Sequence, residues 1–237
     1  HSKAKKVADE LGIQAYDYDG LLNSDLDAVY IPLPNSMHYE WVMKALRQGK
    51  HVLVEKSMGM NLLEVMEMNE VAKQHGLALV ENFQFRFHRQ LKVIMHLVDS
   101  GKIGELRCMR SSFGFPLFPD KENIRYQAEL GGGALFDAGA YPIKVSQLML
   151  GEDLKVEGAS LWKDPALGVD IWGGGFLKQR NGSLFSEIAF GFDHFYQCNI
   201  ELWGSKGKLY TNRIFTARPD FTPKIIVETN DGSEAIS

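Results

Sequence analysis

A lysine and a tyrosine that lie far apart in the sequence could together protonate a carbonyl oxygen while it is reduced. Lys56 follows the apolar run 51–54, which is typical of a buried strand, and precedes a loop and a helical pattern. Because open parallel sheets bind ligands at the carboxyl ends of their strands, Lys56 is expected to place a cation in that crevice. Tyr141 lies at the start of another apolar helix. The two residues are a candidate proton-donating pair.

A carboxylate accompanies the tyrosine. Asp137 and Tyr141 are four residues apart, so on a helix they project from the same face. The glycines at 131–133 precede them and predict a flexible segment that passes close to a ligand. A capping aspartate and a packed tyrosine with a satisfied hydroxyl are the structural alternative. The position of both groups near a helix start, after three glycines, favours a functional site.

The glutamate before Lys56 has two interpretations. As a solvated ion pair, Glu55 and Lys56 would contribute little to stability. At the ligand edge of a sheet, a partly desolvated lysine beside a carboxylate could instead hold a cofactor hydroxyl or polarise a carbonyl oxygen. The apolar strand that precedes the pair favours the second interpretation.

The segment 32–38 follows another apolar run and opens a helix, so it is expected at the same edge of the sheet. Asn35 or Ser36 could cap that helix by accepting hydrogen bonds from its first backbone amides. Alternatively, Asn35 and His38 could point into the crevice beside a bound nicotinamide. The residues alone leave both interpretations open.

Arginines next to aromatic residues occur in the segments 83–86 and 124–127. They could pack within loops, or they could recognise a phosphorylated or sugar-ring substrate, because arginine binds phosphate oxygens through two hydrogen bonds. His194 and Tyr196 are expected on a strand, where a spacing of two residues puts them on one face. A solvent-facing pair is the simpler interpretation of these two.

The first part of the chain alternates strand and helix patterns, which predicts βαβ units and a parallel sheet. Right-handed crossovers would bring the carboxyl ends of its strands to one edge. The predicted strands are 27–31, 51–54 and 77–80, and the predicted helices are 2–11, 38–48 and 62–75.

A glycine-rich phosphate motif is missing from this first part. No Gly-x-Gly-x-x-Gly occurs, so the usual pyrophosphate turn of a dinucleotide fold is absent. The chain also opens within a predicted crossover helix, and we expect truncation of the first βαβ segment. A natural protein without that half-site is the alternative.

After residue 82 the pattern changes to longer strand-like segments joined by glycine-containing turns. Helices at 88–98 and before Leu150, with a strand at 105–113 between them, precede these segments. The predicted fold class is therefore α/β plus α+β. An N-terminally incomplete Rossmann-like parallel sheet in residues 1–82 is followed, in residues 83–237, by an α+β domain with an open-faced, mostly antiparallel sheet.

The composition indicates a globular protein and argues against several classes of function. Of the 237 residues 45% are hydrophobic, and the net charge of -4 gives no general attraction to nucleic acid or anionic membranes. No apolar stretch approaches the ~18 residues that span a bilayer. The seven histidines and two cysteines show no zinc or iron spacing, so no metal is expected. Two cysteines fit a reducing compartment, so the expected location is cytoplasmic.

Taken together, these motifs resemble the glucose-fructose oxidoreductase/inositol dehydrogenase (Gfo/Idh/MocA) family, and the resemblance runs through nearly the whole chain. The matching motifs are Pro34-Asn35-x-x-His38, Glu55-Lys56, Glu81-Asn82-Phe83-x-x-Arg86, Ile103-Gly104-Glu105, Gly131-Gly-Gly-Ala-Leu-Phe-Asp137-x-Gly139-x-Tyr141 and Gly204-Ser-x-Gly207. Within the family, the segment 124–127 and Asn212-Arg213-x-Phe215 look most like nucleotide-sugar ketoreductases.

The resemblance implies a Rossmann domain that holds NAD(P) and a second domain whose open sheet joins family members into dimers or tetramers. It implies that Lys56 is the catalytic and cofactor lysine, Tyr141 the proton donor and Asp137 the active-site aspartate. The expected cofactor contacts are Leu33, Pro34, Asn35, His38, Glu55 and Lys56, and the expected substrate contacts are Asn82, Arg86, Arg125, Tyr126 and His194. The family usually has proline at the position of Ser57, and its absence loosens the predicted aim of Lys56.

We therefore expect an NAD(P)-dependent oxidoreductase that transfers hydride between NADP(H) or NAD(H) and the carbonyl of a sugar, best matched by a nucleotide-linked keto-sugar. The chain as given, without a glycine-rich turn, is expected to bind dinucleotide poorly and to be inactive alone. A polyol or free-sugar dehydrogenase of the same family is one alternative. The other is a non-enzymatic regulator that senses a sugar or dinucleotide, and the presence of both Lys56 and Tyr141 weighs against it.

Overall fold

The structure is a computed structural model that describes residues 2–218 and 220–236. The chain forms two compact units, His1–Asn82 and Phe83–Ser237. Each unit has its own cluster of buried apolar side chains. None of the helices within the described residues is long and apolar enough to cross a membrane.

Unit 1, residues 1–82, is a three-stranded parallel sheet with the strand order β1-β2-β3. Its strands are β1 (Ala28–Ile31), β2 (His51–Glu55) and β3 (Leu79–Asn82), and its helices are α1 (Ser2–Leu11), α2 (Tyr18–Leu22), α3 (Asn35–Arg47) and α4 (Leu62–Gln74). Since all three strands run the same way, their carboxyl ends lie along one edge of the sheet.

Alternation along the strands of unit 1 explains which side of its sheet is covered. Val52 and Val54 are buried on the side where α3 and α4 pack, and Met68 of α4 joins the same cluster. Tyr30 and Leu53 point to the other side, where they are 51% and 36% exposed. Full burial of an aliphatic side chain contributes about 1.5–3 kcal/mol, so the covered side stabilises this unit.

Unit 2, residues 83–237, is built on an eight-stranded sheet with the order β11-β10-β9-β8-β4-β7-β6-β5, in which the β4–β7 pair alone is parallel. The strands are β4 (Leu106–Gly114), β5 (Leu154–Lys163), β6 (Asp170–Gln179), β7 (Phe185–Gly191), β8 (Gln197–Gly204), β9 (Gly207–Thr211), β10 (Ile225–Thr229) and β11 (Gly232–Ile236). The helices are α5 (Arg89–Asp99) and α6 (Ala140–Leu150), with 3-10 turns at Gln84–Phe87, Ile124–Tyr126 and Ala128–Leu130 and a π-helical turn at Leu135–Gly139.

One face of this large sheet is covered and the other is open. In β8 the side chains of Cys198, Ile200 and Leu202 are buried, while the alternate residues of the strand face the other way. Apolar residues of α5 and α6 belong to the same buried cluster. The opposite face carries tryptophans and ion pairs, with Trp162 stacked on Trp172 at 4.1 Å between ring centroids.

The predicted fold class, a Rossmann-like parallel sheet followed by a mostly antiparallel α+β part, is confirmed. Three details differ from the predictions. Helix α3 begins at Asn35 rather than at residue 38, because extended Pro34 directly precedes the first helical residue. Strand β3 pairs two residues later than predicted, since Leu79 to Asn82 are in register with β2. The short helix α2 was not predicted.

Candidate active site

The carboxyl edge of unit 1 joins three polar side chains from neighbouring strands. Glu55 ends β2 in register with Asn82 at the end of β3. Its Oε1 atom accepts a hydrogen bond from the Tyr30 hydroxyl at 2.5 Å and another from Asn82 Nδ2 at 2.6 Å. The hydrogen bond to Glu55 raises the pKa of Tyr30, because it stabilises the protonated phenol. Glu55 therefore ties the three strand ends together.

The turn after Lys56 is held by side chains of other elements of unit 1. The peptide bond between Lys56 and Ser57 is cis. The Ser57 N–H donates to Asn35 Oδ1 at 3.1 Å, and the Ser57 carbonyl oxygen lies 2.7 Å from His38 Nδ1. The Met58 N–H donates to the carboxylate of Glu81 at 2.9 Å. Side chains of α3 and β3 thus bind the main chain directly beyond Lys56.

The polar residues of the segment 32–38 all lie within α3, and the expected cofactor contacts of Asn35 and His38 stay predictions. Pro34 occupies the N-cap position of α3 and makes no side-chain cap hydrogen bond, so the interpretation of Asn35 or Ser36 as the N-cap residue is corrected. His38 has no exposed surface, and its Nε2 atom lies 2.7 Å from the carbonyl oxygen of Leu33. The imidazole ring bridges the loop after β1 and the turn after β2.

In unit 2 the tyrosine lies among aromatic rings. Tyr141 is on the first turn of α6 and is 8% exposed. The Gln84 side-chain amide lies 3.5 Å from its hydroxyl. The surrounding rings have centroids 5.0–6.0 Å from that of Tyr141 and belong to Phe83, Phe85, Phe113 and Phe215. The packing is edge-to-face with Phe83 and Phe113 and tilted with Phe85 and Phe215, and it fixes the position of the tyrosine ring.

Asp137 lies in the π-helical turn that leads into α6, and such turns are frequent at functional sites. Its Oδ2 atom accepts a hydrogen bond from Arg125 Nε at 2.6 Å. The pair is partly buried, with 17% of the aspartate side chain and 32% of the arginine side chain exposed. The guanidinium also lies 4.7 Å from the ring of Phe118. Asp137 was predicted to be catalytic and Arg125 to bind substrate, and the structure shows that the two side chains form a hydrogen-bonded ion pair.

The glycines at 131–133 pass close to the protein itself. A Cβ atom on Gly132 would come within 2.6 Å of the Arg125 carbonyl oxygen, and one on Gly133 would clash with the carboxylate of Asp170. Asp170 in turn accepts the Leu135 N–H at 2.6 Å, which fastens the π-helical turn. The close approach that we expected to serve a ligand is thus made between segments of unit 2.

The remaining predicted substrate residues differ in position. Tyr126 is buried, and its hydroxyl accepts the Phe118 N–H at 2.8 Å. Arg86 is exposed in a 3-10 turn. His194 and Tyr196 lie in the connection between β7 and β8, so the expectation that they share a strand is wrong. A positive φ of 57° at Asp193 turns the chain there.

In unit 2, two residues of the site were not predicted. Gln84 lies beside the Tyr141 hydroxyl, and Asp170 holds the π-helical turn. Gln84 is a polar residue between two phenylalanines, which is a weak signal that could have drawn attention to it. Asp170 is the first residue of β6, and nothing in its sequence context signals this role. Within the described residues no cluster of three or more histidine, cysteine or acidic side chains could hold a metal ion.

A parallel βαβ sheet with a lysine at its ligand edge, followed by an α+β unit with a tyrosine at a helix start, is the arrangement expected of a two-domain nicotinamide-dependent oxidoreductase. Comparison with known families agrees. The family "Oxidoreductase family, NAD-binding Rossmann fold" matches residues 1–83, and the "GFO/IDH/MocA C-terminal domain" matches residues 91–210. The chain belongs to the Gfo/Idh/MocA family, and the predicted family, enzyme class and NAD(P) dependence are confirmed.

Several similar proteins have a named activity. The chain is 40% identical to the dTDP-3,4-didehydro-2,6-dideoxy-alpha-D-glucose 3-reductase of Actinomadura kijaniata over 98% of its length and 70% of the relative. It is 33% identical to D-xylose 1-dehydrogenase (NADP(+)) 2 of Haloferax volcanii over 97% of its length and 70% of that protein. Among solved structures, the chain is similar to KijD10, a 3-ketoreductase from Actinomadura kijaniata in complex with NADP and TDP-benzene. The TM-score is 0.94 at 39% sequence identity, and the match covers 99% of this chain and 72% of the KijD10 chain.

Proposed function

We propose that the protein reduces a keto group of a nucleotide-linked sugar with NADPH or NADH. The observation that carries this proposal is the structural likeness to KijD10, which extends through both units. The KijD10 structure contains NADP and TDP-benzene. The 40% identity to a dTDP-keto-sugar 3-reductase supports the same class of substrate. The cofactor supplies the hydride, and the protein supplies the proton and the orientation of the substrate.

Lys56 and Tyr141 are our candidates for proton donation and oxyanion stabilisation. Tyr141 would protonate the alkoxide that forms as the carbonyl carbon receives hydride, and the Lys56 ammonium would stabilise that oxygen and hold the cofactor ribose. Further structures of KijD10 carry a substituted tyrosine or a substituted lysine. Those two positions are separated by almost the same number of residues as Lys56 and Tyr141, which supports equivalent roles here.

The pair of Arg125 and Asp137 is our candidate for holding the substrate. Asp137 Oδ2 accepts a 2.6 Å hydrogen bond from Arg125 Nε, and Asn123 Oδ1 accepts a longer one, 3.4 Å, from Arg125 Nη1. An arginine held in this way suits the phosphate oxygens of a nucleotide-sugar, since the planar fork loses little further freedom on binding. We propose that Asp137 acts by orienting Arg125 and substrate hydroxyls. Asn82, Arg86, Tyr126 and His194 remain predicted substrate contacts.

Unit 1 offers residues that fit one side of a nicotinamide cofactor. Leu33 and Pro34 are partly exposed apolar residues just beyond β1, and Glu55 and Lys56 end β2 at the same edge. Apolar surface beside an ammonium group matches a flat nicotinamide ring joined to a ribose with two hydroxyls. We propose that these four residues contact the cofactor there.

A free sugar or polyol is the second candidate substrate, and the 33% identity to a D-xylose dehydrogenase favours it. With the complete gene product, oxidation of NADPH would be measured with TDP-linked keto-sugars, and reduction of NADP+ would be measured with free sugars and polyols. We expect turnover with the TDP-linked compounds and little with the free ones. Turnover with free sugars alone would contradict a nucleotide-linked substrate. Binding without turnover of either class would favour a regulator.

We further propose that a second copy of the chain covers the open face of the large sheet. Trp162 and Trp172 are stacked there and are 41% and 37% exposed. The same face carries Arg110 in an ion pair with Glu187 and above the ring of Trp203. Stacked rings with both signs of charge suit a self-complementary contact about a two-fold axis.

Light scattering on the complete gene product tests this contact. We expect a dimer or tetramer that Trp172→Glu dissociates, while Leu62→Glu, a control on an exposed position of unit 1, leaves it intact. A monomeric parent protein would contradict the contact.

The two cysteines are buried free thiols, which supports the proposed cytoplasmic location.

A further inference from the structure

Side chains from two other elements of unit 1 hold the main chain that follows Lys56. Asn35 accepts the Ser57 N–H at 3.1 Å, and His38 Nδ1 lies 2.7 Å from the Ser57 carbonyl oxygen. The Met58 N–H is bound by Glu81. This segment lies beyond the last residue of β2, where the hydrogen bonds of the sheet have ended. Side chains of α3 therefore contact both polar groups of the Ser57 main chain.

The imidazole of His38 has no polar atom left for a ligand. Its second nitrogen lies 2.7 Å from the Leu33 carbonyl oxygen, and the residue has no exposed surface. Carbonyl oxygens only accept hydrogen bonds, so the ring acts as a donor towards the main chain. A side chain in this situation supports its neighbours and does not touch the cofactor.

We propose that His38 and Asn35 are positioning residues that set the direction of the Lys56 side chain. The inference rests on the proposed role of Lys56, and it replaces the predicted cofactor contacts of these two residues with an indirect role. A lysine side chain has four rotatable carbons, so the position of its ammonium depends on how firmly its own main chain is held. Misplacement of a catalytic group by about 1 Å can reduce the rate about 100-fold.

Replacement of the two residues in the complete gene product tests the proposal. His38→Leu removes the polar contacts of the imidazole, His38→Gln keeps an amide donor, and Asn35→Ala removes the acceptor of the Ser57 N–H. Lys50→Met is the matched control, because Lys50 also bridges two main-chain carbonyls of unit 1, those of Ser24 and Leu26, but lies before β2. We expect kcat to fall about 10- to 100-fold for His38→Leu and Asn35→Ala. His38→Gln should recover part of kcat, and Lys50→Met should leave it unchanged.

A second readout separates positioning from cofactor contact and from general destabilisation. The dissociation constant of NADPH should rise by a smaller factor than kcat falls in Asn35→Ala and His38→Gln, since misplacement of Lys56 loosens one ribose contact but acts mainly on kcat. A large loss of NADPH affinity with unchanged kcat would overturn the proposal in favour of direct contact. If His38→Leu does not fold, the Asn35→Ala and His38→Gln variants decide the same question.

Combination with Lys56→Met completes the test. If His38 acts through Lys56, His38→Gln and Asn35→Ala should reduce kcat no further once the ammonium is gone. Full reductions that multiply in the combined variants would overturn the positioning proposal while the role of Lys56 stands. Unchanged kcat in Lys56→Met by itself would reject the proposed role of Lys56, and the positioning proposal with it.

Discussion

The two candidate catalytic residues are held by opposite kinds of interaction. At the edge of unit 1, the main chain next to Lys56 is bound by polar side chains, those of Asn35, His38 and Glu81. In unit 2, the ring of Tyr141 is surrounded by phenylalanine rings. A flexible ammonium side chain needs a firm main chain at its base, whereas a rigid phenol can be placed by the shape of its surroundings. Removal of a polar side chain should therefore disturb the region around Lys56, and truncation of an aromatic ring should disturb the region around Tyr141.

Removal of the Tyr141 hydroxyl alone is expected to have the largest effect on activity. Tyr141→Phe keeps the ring among its aromatic neighbours, so stability should change little. The loss of a positioned acid should lower kcat about 10²- to 10⁴-fold with little change in substrate affinity. Steady-state kinetics and thermal unfolding of the complete gene product measure both quantities. Unchanged kcat would remove Tyr141 from its proposed role.

A cavity beside the same ring should act on stability instead. Phe113 is 6% exposed, and its ring centroid lies 5.0 Å from that of Tyr141. Phe113→Ala should lower the free energy of unfolding by about 3–5 kcal/mol through lost burial and the cavity. Denaturant unfolding measures it, with Phe87→Ala as a control, because Phe87 is 71% exposed. Equal losses for both variants would contradict the idea that tight packing defines this region.

Neutralisation of Asp137 should have a moderate effect on substrate binding. Asp137→Asn keeps the shape of the side chain but weakens its charge-assisted hydrogen bond to Arg125. We expect the KM for a nucleotide-linked sugar to rise about tenfold, which corresponds to about 1.4 kcal/mol. Kinetics with NADPH held saturating show the change. An equally large rise in Arg125→Lys would support the pair acting as one unit, and a parent-like KM in both variants would contradict it.

The smallest expected effect concerns pH. The hydrogen bond to Glu55 raises the pKa of Tyr30 above its ordinary value. The associated stability is therefore fully present below the pKa of an unfolded tyrosine, about 10, and is lost as the pH rises through the folded pKa. Because Tyr30 is half exposed, solvent screens the effect. Tyr30→Phe should lose part of this alkaline decline in thermal unfolding between pH 9 and 11. An identical decline in parent and variant would contradict the assignment.

Much of the fold followed from sequence pattern, and much of the site did not. Apolar runs before Glu55 and the helical spacing of residues 62–75 predicted strands and helices within a few residues, because burial on one face sets those patterns. The partners of His38 and Asn35 are main-chain atoms of a turn some twenty positions later, and no pattern in either segment encodes that contact. The Arg125–Asp137 pair depends on a π-helical turn that propensity does not predict.

The sequence predicted where the residues of the site lie better than it predicted what each side chain contacts. The segment 32–38 was correctly placed at the carboxyl edge of the parallel sheet, since it follows β1 directly. Whether His38 faces outward or inward depends on the packing of α3, which fully buries it. Long-range packing of this kind has no local signature.

A crystal structure of the complete gene product with NADP and an inert nucleotide-linked sugar analogue tests the central proposal most directly. We predict that the Lys56 Nζ atom and the Tyr141 hydroxyl both lie within about 2.6–3.2 Å of the same substrate oxygen. An arrangement in which only one of these groups can reach that oxygen, with the other directed to a separate cavity, would contradict it.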